Sequence, residues 1–278
     1  MINFVKYHGL GNDFIIIDNT QGSIAMTPEK VQKMCHRYFG IGGDGVILAE
    51  KSKQADVKMV IINSDGSRAE MCGNGLRCLS KFAYEKLGIR KNPLLVETGA
   101  GNLTVQLKMS NNVVDTIKVN MGKPIFDFEK IPCTIEKEPI ANHPVKIGGK
   151  EFRLTAMYLG VPHTVVFADD IDDESVISNG RIIENSEFFP RKANVNFVKI
   201  IKGNEIAVRT WERGAGYTYA CGTGSCASVV AGILNGMLDK EVLVHLRGGD
   251  LLISWQQGED VYMEGPSVEV YEGCYKMD

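Results

Sequence analysis

A long-range repeat runs through this chain and limits the folds open to it. The stretch Ala69-Glu70-Met71-Cys72-Gly73-Asn74-Gly75-Leu76-Arg77-Cys78 has a second copy of its core in Ala220-Cys221-Gly222-Thr223-Gly224-Ser225-Cys226, which sets Cys72 and Cys221 149 positions apart. Each copy runs from a cysteine and a glycine turn into apolar residues at helical spacing, Leu79-Phe82-Ala83 and Val229-Val230-Ile233. Both cysteines are therefore expected at helix N-termini. The agreement extends upstream. Nine positions before the cysteines stand Asn63 and Glu212, twenty-seven before stand Gly45 and Asn194, and sixty before stand Asn12 and Val161, each of the last two following a glycine. Spacing kept over sixty residues implies two duplicated domains, with ligand chemistry expected in a cleft between them.

At 278 residues with 44% apolar side chains, the chain is large enough for two cores. A net charge of −3 with scattered lysines and arginines offers no basic stripe, so neither nucleic acid nor an anionic membrane is an expected partner. The longest apolar runs are strand-sized, and nothing before Pro28 reads as a leader. Seven cysteines at irregular spacing do not form a disulfide framework, which points to reduced thiols and the cytoplasm.

Along the chain, Ile2 to Tyr7 and Phe14 to Asp18 read as strands around a glycine loop that contains Asn12. Thr27-Pro28-Glu29 opens a helix. Gly40-Ile41-Gly42-Gly43-Asp44-Gly45 has the letters of a dinucleotide fingerprint, but a helix precedes it and a strand follows, the reverse of the order phosphate binding needs; it reads as a glycine-rich turn. The segment between Gly122 and Gly149 holds four of the nine prolines and reads as the domain boundary.

Two helix N-termini facing one ligand would each supply free N–H groups and partial positive charge, suited to a carboxylate held by Gly73, Asn74, Gly222 and Thr223. The same field is expected to favour thiolate. Thiols on opposite sides of one α-carbon would invert it, one removing a proton and the other returning one. Two competing arrangements are weaker fits. A four-sulfur zinc site with Cys78 and Cys226 would need spacings wider than the usual CxxC pairs, and a thiol–disulfide redox pair would leave the glycines, amides and Arg213 idle. Cys78 and Cys226 are expected on buried helix faces, and Cys35, Cys133 and Cys274 as packing residues.

These motifs resemble the diaminopimelate epimerase family over essentially the whole length. Carrying the resemblance are Gly11-Asn12-Asp13-Phe14, the Gly40 to Gly45 stretch, Asn63-Ser64-Asp65-Gly66, both cysteine motifs, Asn194-Val195-Asn196-Phe197-Val198 and Glu212-Arg213-Gly214-Ala215-Gly216. The resemblance implies an α+β protein of two pseudo-symmetric duplicated domains, each a mixed, largely antiparallel sheet wrapped around a central helix. The expected domains are 1–121, completed by a strand in 266–278, and 122–265. It further implies a cofactor-independent isomerase, without a metal, that acts on diaminopimelate as a homodimer. Cys72 and Cys221 would be its acid–base pair, Gly73, Asn74, Gly222 and Thr223 the cradle of the reacting carboxylate, Asn12, Asn63, Asn194, Glu212 and Arg213 the groups at the substrate's other end, and His163 a supporting residue near the thiols. Two departures from the family pattern stand out: Val161 replaces an asparagine and Tyr217 a glutamate. The first keeps a racemase of another amino acid open as the alternative.

Overall fold

The computed structural model describes residues 1–111 and 113–277. Its fold follows from a pair of β-α-β crossovers that occurs in each half. The chain opens with β1 (Ile2–Gly9), β2 (Asn12–Asp18), α1 (Pro28–Cys35), β3 (Gly45–Glu50), β4 (Val57–Asn63), β5 (Arg68–Ala69), α2 (Gly73–Glu85), β6 (Leu94–Thr98), β7 (Gly101–Ser110) and β8 (Val113–Asn120). β2 is parallel to β3 and β4 is parallel to β6, and a parallel pair cannot be closed by a tight turn. The long connections are α1 and α2. The remaining pairs, β1–β2, β3–β4, β4–β5, β6–β7 and β7–β8, are antiparallel.

The second half repeats this plan with β9 (His143–Ile147), β10 (Lys150–Leu159), β11 (Val161–Phe167), α3 (Asp173–Glu184), β12 (Asn194–Lys202), β13 (Glu205–Glu212), β14 (Gly216–Thr218), α4 (Gly222–Leu234), β15 (Glu241–Leu246), β16 (Gly249–Ser254) and β17 (Tyr262–Pro266). Here β11 is parallel to β12 and β13 to β15. The register is shared as well as the order. Phe14 faces Gly45 while His163 faces Asn194, Val46 faces Ile62 while Val195 faces Trp211, and Ile61 faces Ala69 while Thr210 faces Thr218. All three pairs differ by the 149 positions that separate the cysteines. A last strand, β18 (Val268–Tyr275), returns to lie antiparallel to β1, where the second half has β9 beside β10. The contacts accordingly divide the chain into Met1–Asn120 with Glu264–Asp278, and Met121–Met263. Each is a mixed α+β unit.

α2 and α4 are the central helices. From Gly73 to Ser80 every residue of α2 is buried, as is every residue of α4 from Gly224 to Gly232. Helices buried on nearly all sides leave no room for unsatisfied polar groups, so the serines turn back on their own helices: Ser80, Ser225 and Ser228 each donate to the carbonyl four residues earlier. α1 packs Val31 and Met34 against Ile15, Ile17, Val46 and Leu48. α3 contributes Val176 and Ile183 to a core with Leu154, Val166, Val195 and Phe197.

The structure corrects three expectations. Asn12 is not in a loop; it is the first residue of β2 opposite Gly9, because Leu10 and Gly11 both take positive φ and close a two-residue hairpin. The Gly122 to Gly149 segment is more than a boundary: its prolines and charges conceal β9, in which Pro144 pairs with Arg153. Cys274 is exposed on β18 and packs no core, whereas Cys78 and Cys226 are fully buried as anticipated. The short strands β5 and β14, of two and three residues, have no periodic run that a sequence could show. Among the described residues, no helix is long and apolar enough to cross a membrane.

Candidate active site

Cys72 caps α2 and Cys221 caps α4. Both are in extended backbone conformation, with Sγ accepting from the N–H three residues on, Gly75 at 3.5 Å and Gly224 at 3.3 Å. The glycine at this position is a packing requirement. A β-carbon on Gly224 would collide with the Asn196 side-chain oxygen, and one on Gly75 would press on Ile47 at 3.0 Å. The N–H groups just inside each helix, from Gly73 and Asn74 and from Gly222 and Thr223, have no intrahelical acceptor and present the positive end of the helix dipole.

In the first unit Cys72 lies 3.6 Å from Asn12 Oδ1, which also accepts from Asn74 Nδ2 at 3.2 Å. Asn12 Nδ2 donates to Asp44 at 2.8 Å. Asn74 is held in turn by the fully buried Arg77, whose guanidinium donates to its Oδ1 at 2.9 Å and to the Pro266 carbonyl. Asn63 sits at the end of β4 beside Gly45, with its amide donating to Ser67. Beneath Asn12, the buried Lys6 pairs with Asp13 at 2.6 Å and donates to the Gly42 carbonyl. Burial works against the Asp13 carboxylate, yet hydrogen bonds from Arg37 and Lys6 prevail and lower its pKa to about 2.

In the second unit Cys221 is 3.5 Å from the Thr223 hydroxyl and within hydrogen-bonding reach of Glu212. Burial and then the negative charge of Glu212 push its thiol well above the usual cysteine range, and the donors on Thr223 and Gly224 only partly offset them. This reverses the expectation that a helix N-terminus would favour thiolate here. Half an elementary charge at the helix end is outweighed by a dry site and a full carboxylate charge. Glu212 is itself fixed by the Thr218 hydroxyl at 2.6 Å, and Asn194 Oδ1 accepts from the Arg213 backbone N–H at 2.9 Å.

His163 is fully buried on β11, its Nδ1 3.2 Å from Asn196 Nδ2. Burial, and then the charge of Arg213, lower its pKa to about 3, so the imidazole is neutral. Its Nε2 is buried without a hydrogen-bond partner among the described residues. Asn196 also reaches the Thr164 carbonyl and accepts from Thr210, which builds the floor on which Gly224 rests.

The structure thus gathers Asn12, Cys72, Gly73 and Asn74 into one cluster and Asn194, Glu212, Arg213, Cys221, Gly222 and Thr223 around the start of α4. Val161 opens β11 at the position equivalent to Asn12 and offers no polar group to Cys221. Tyr217 turns outward, with its hydroxyl donating to Asp173 at 2.6 Å and its ring under Arg247. Asp44, Arg77 and Asn196 stand within the sequence motifs without a role assigned to them, and Thr210 stands outside them. Asp44 was visible, as the one charged residue inside the Gly40 to Gly45 turn, whereas a buried Arg77 looks like any helix-surface cation until the packing is known.

Residues 4–126 and 155–270 match the family described as diaminopimelate epimerase. The chain is 47% identical to a diaminopimelate epimerase of Desulfitobacterium hafniense, covering 100% of this chain and 99% of the relative. It is likewise 47% identical to one of Leptospira biflexa, at 98% of each. Among solved structures, a probable proline racemase from Agrobacterium radiobacter superposes with a TM-score of 0.72 at 14% identity, covering 100% of this chain and 94% of that one. A hydroxyproline epimerase from Agrobacterium vitis gives 0.71 at 14% identity, covering 98% and 91%. At such identities these two structures speak for the fold alone.

Proposed function

The chain belongs to the diaminopimelate epimerase family, and from that premise we propose that it interconverts LL- and meso-diaminopimelate by proton transfer at the α-carbon between Cys72 and Cys221. The observation that carries this reading is the pair of thiols capping equivalent helices in a duplicated fold, each beside helix N–H groups that have no intrahelical acceptor. An amino-acid α-proton is a far weaker acid than a thiol, so the negative charge must be stabilised where it accumulates, on the reacting carboxylate. The N–H groups of Gly73, Asn74, Gly222 and Thr223 would do this in a water-poor site.

The two thiols have different partners and would have different tasks. Cys221, a thiol with a carboxylate beside it, gives up its proton to Glu212 when it acts as base. Cys72 donates toward Asn12 and serves as the acid for the same direction of turnover. The reverse reaction exchanges these roles. Arg213, which is exposed, suits the distal carboxylate of a two-ended substrate through its planar fork, with Asn12, Asn63 and Asn194 completing the polar contacts. His163 stays neutral and lends one ring nitrogen as a hydrogen-bond partner. All proton carriers and charge-stabilising groups in this scheme belong to the protein, so it requires no cofactor. The odd cysteine count suits a reducing cytoplasm, and the exposed Val268 and Val270 on β18 suit a second copy of the chain.

Incubation with LL-diaminopimelate in heavy water should yield the meso isomer with deuterium at one α-carbon. Cys72→Ala and Cys221→Ala should each lose stereoinversion. Intact inversion in both variants would sink the two-thiol assignment, and conversion of another amino acid in preference to diaminopimelate would sink the substrate.

A further inference from the structure

Four side chains of the first unit form a hydrogen-bond chain with only one possible direction. Arg77 has donors and no acceptor, and it sits at one end; the Asp44 carboxylate, which only accepts, sits at the other. Between them lie two carboxamides that could each have turned either way. Arg77 donates to Asn74 Oδ1 at 2.9 Å, Asn74 Nδ2 donates to Asn12 Oδ1 at 3.2 Å, and Asn12 Nδ2 donates to Asp44 Oδ2 at 2.8 Å. With both ends fixed, neither amide can flip without setting donor against donor or acceptor against acceptor.

The consequence falls on Cys72. Its Sγ lies 3.6 Å from Asn12 Oδ1, an atom that can only accept, and it receives the Gly75 N–H on another side. The contact with Asn12 is one a thiol makes, because a thiolate would face the amide oxygen with no proton between them. Resting on the reading of Cys72 as an acid–base group, we propose that Asp44 is a positioning residue: by fixing the Asn12 carboxamide it holds Cys72 as the protonated, proton-donating thiol of the resting enzyme. Asp44 is itself set for this. Its Oδ2 also accepts from the Asp13 N–H at 3.1 Å and its Oδ1 from Arg37 at 2.7 Å, so its carboxylate cannot swing away from Asn12 without losing both.

Other charges surround this chain. Asp13, Lys6 and Arg37 lie on the side of β1, β2 and the glycine turn, and Arg77, Lys81 and Cys78 lie on α2, so an effect of Asp44 through orientation must be separated from one through charge. Site-resolved alkylation of Cys72 by iodoacetamide across pH, read by mass spectrometry on the full-length protein, makes that separation because only thiolate reacts. Asp44→Ala removes the acceptor that holds Asn12 Nδ2 away from sulfur, leaving the Asn74 N–H as the one printed restraint on the amide, and should speed alkylation at pH 7 about tenfold, the equivalent of one pH unit in the midpoint. Asp44→Asn removes the charge yet keeps an oxygen for Asn12 and should stay within about twofold of the parent. Asn12→Ala removes the acceptor and should itself accelerate alkylation about tenfold, and adding Asp44→Ala to it should change nothing further. Equal acceleration by Asp44→Asn and Asp44→Ala, or a full Asp44→Ala effect with Asn12 absent, overturns the proposal in favour of simple charge. So does an unmoved profile in Asn12→Ala, which can be scored even if Asp44→Ala does not fold. The measurement needs no substrate, so a protein that fails to epimerise diaminopimelate would still reveal whether Asp44 governs the protonation of Cys72.

Discussion

Asn12 and Glu212 make the two halves chemically unequal at the scale of single residues. The backbone gives Cys72 and Cys221 the same cap, the same glycine three residues on and the same helix. The groups at the thiols come from different members of the repeat: the residue sixty before Cys72 faces its sulfur, whereas at Cys221 that place is Val161 and the residue nine before, Glu212, is the partner. Duplication supplied two equal sockets, and side-chain chemistry distinguished them. Because the Glu212 charge raises the Cys221 pKa, replacing it by a neutral isostere should lower that pKa. Glu212→Gln is expected to move Cys221 alkylation to lower pH while turnover falls about a hundredfold for want of the base. An unmoved alkylation midpoint would show that burial alone sets this thiol.

At the scale of elements, the first hairpin depends on an ion network that ties β1, β2 and the turn after α1 together. Lys6 is nearly buried, and its ammonium is shared between Asp13 and the Gly42 carbonyl. Removing one partner of such a pair leaves the other as an uncompensated charge, which is worse than never having had the pair. Lys6→Met should destabilise the protein by about 3 kcal/mol at neutral pH, measured by urea unfolding. The sign of the pH effect follows from Asp13. Its folded pKa, about 2, lies below the 3.8 of an unperturbed aspartate, so its contribution is complete above about pH 4 and is lost as pH falls toward 2. The deficit of Lys6→Met should therefore shrink over that interval. A deficit constant from pH 6 to pH 2 would assign it to lost packing of the lysine stem.

For the molecule as a whole, the repeat was legible because it is a matter of spacing, and spacing survives where residue identity does not. Strands such as Val57–Asn63 and Leu94–Thr98 and both cysteine-capped helices could be placed from periodicity and caps alone. What periodicity missed were pieces held by a partner and not by their own pattern: β9 with its proline, and β5 and β14, too short to have a period. β18 also carries two exposed valines, Val268 and Val270, at 45% and 54% exposure. On the homodimer reading, Val270→Lys should shift the protein to a monomer in sedimentation velocity. A parent protein that is already monomeric at micromolar concentration would end that reading.

The duplication, the two capping thiols and the glycines that follow them are legible in the residues alone, since they are local choices repeated at a fixed offset. What each thiol faces follows from the packing. Asp44 and Arg77 enter the site through side chains that meet across strands and helix, and Cys221 is raised by burial and by Glu212 nine residues away in sequence. Protonation depends on the sum of desolvation, charge and hydrogen-bond direction at one atom. That sum is taken over neighbours in space, which a motif names only in part.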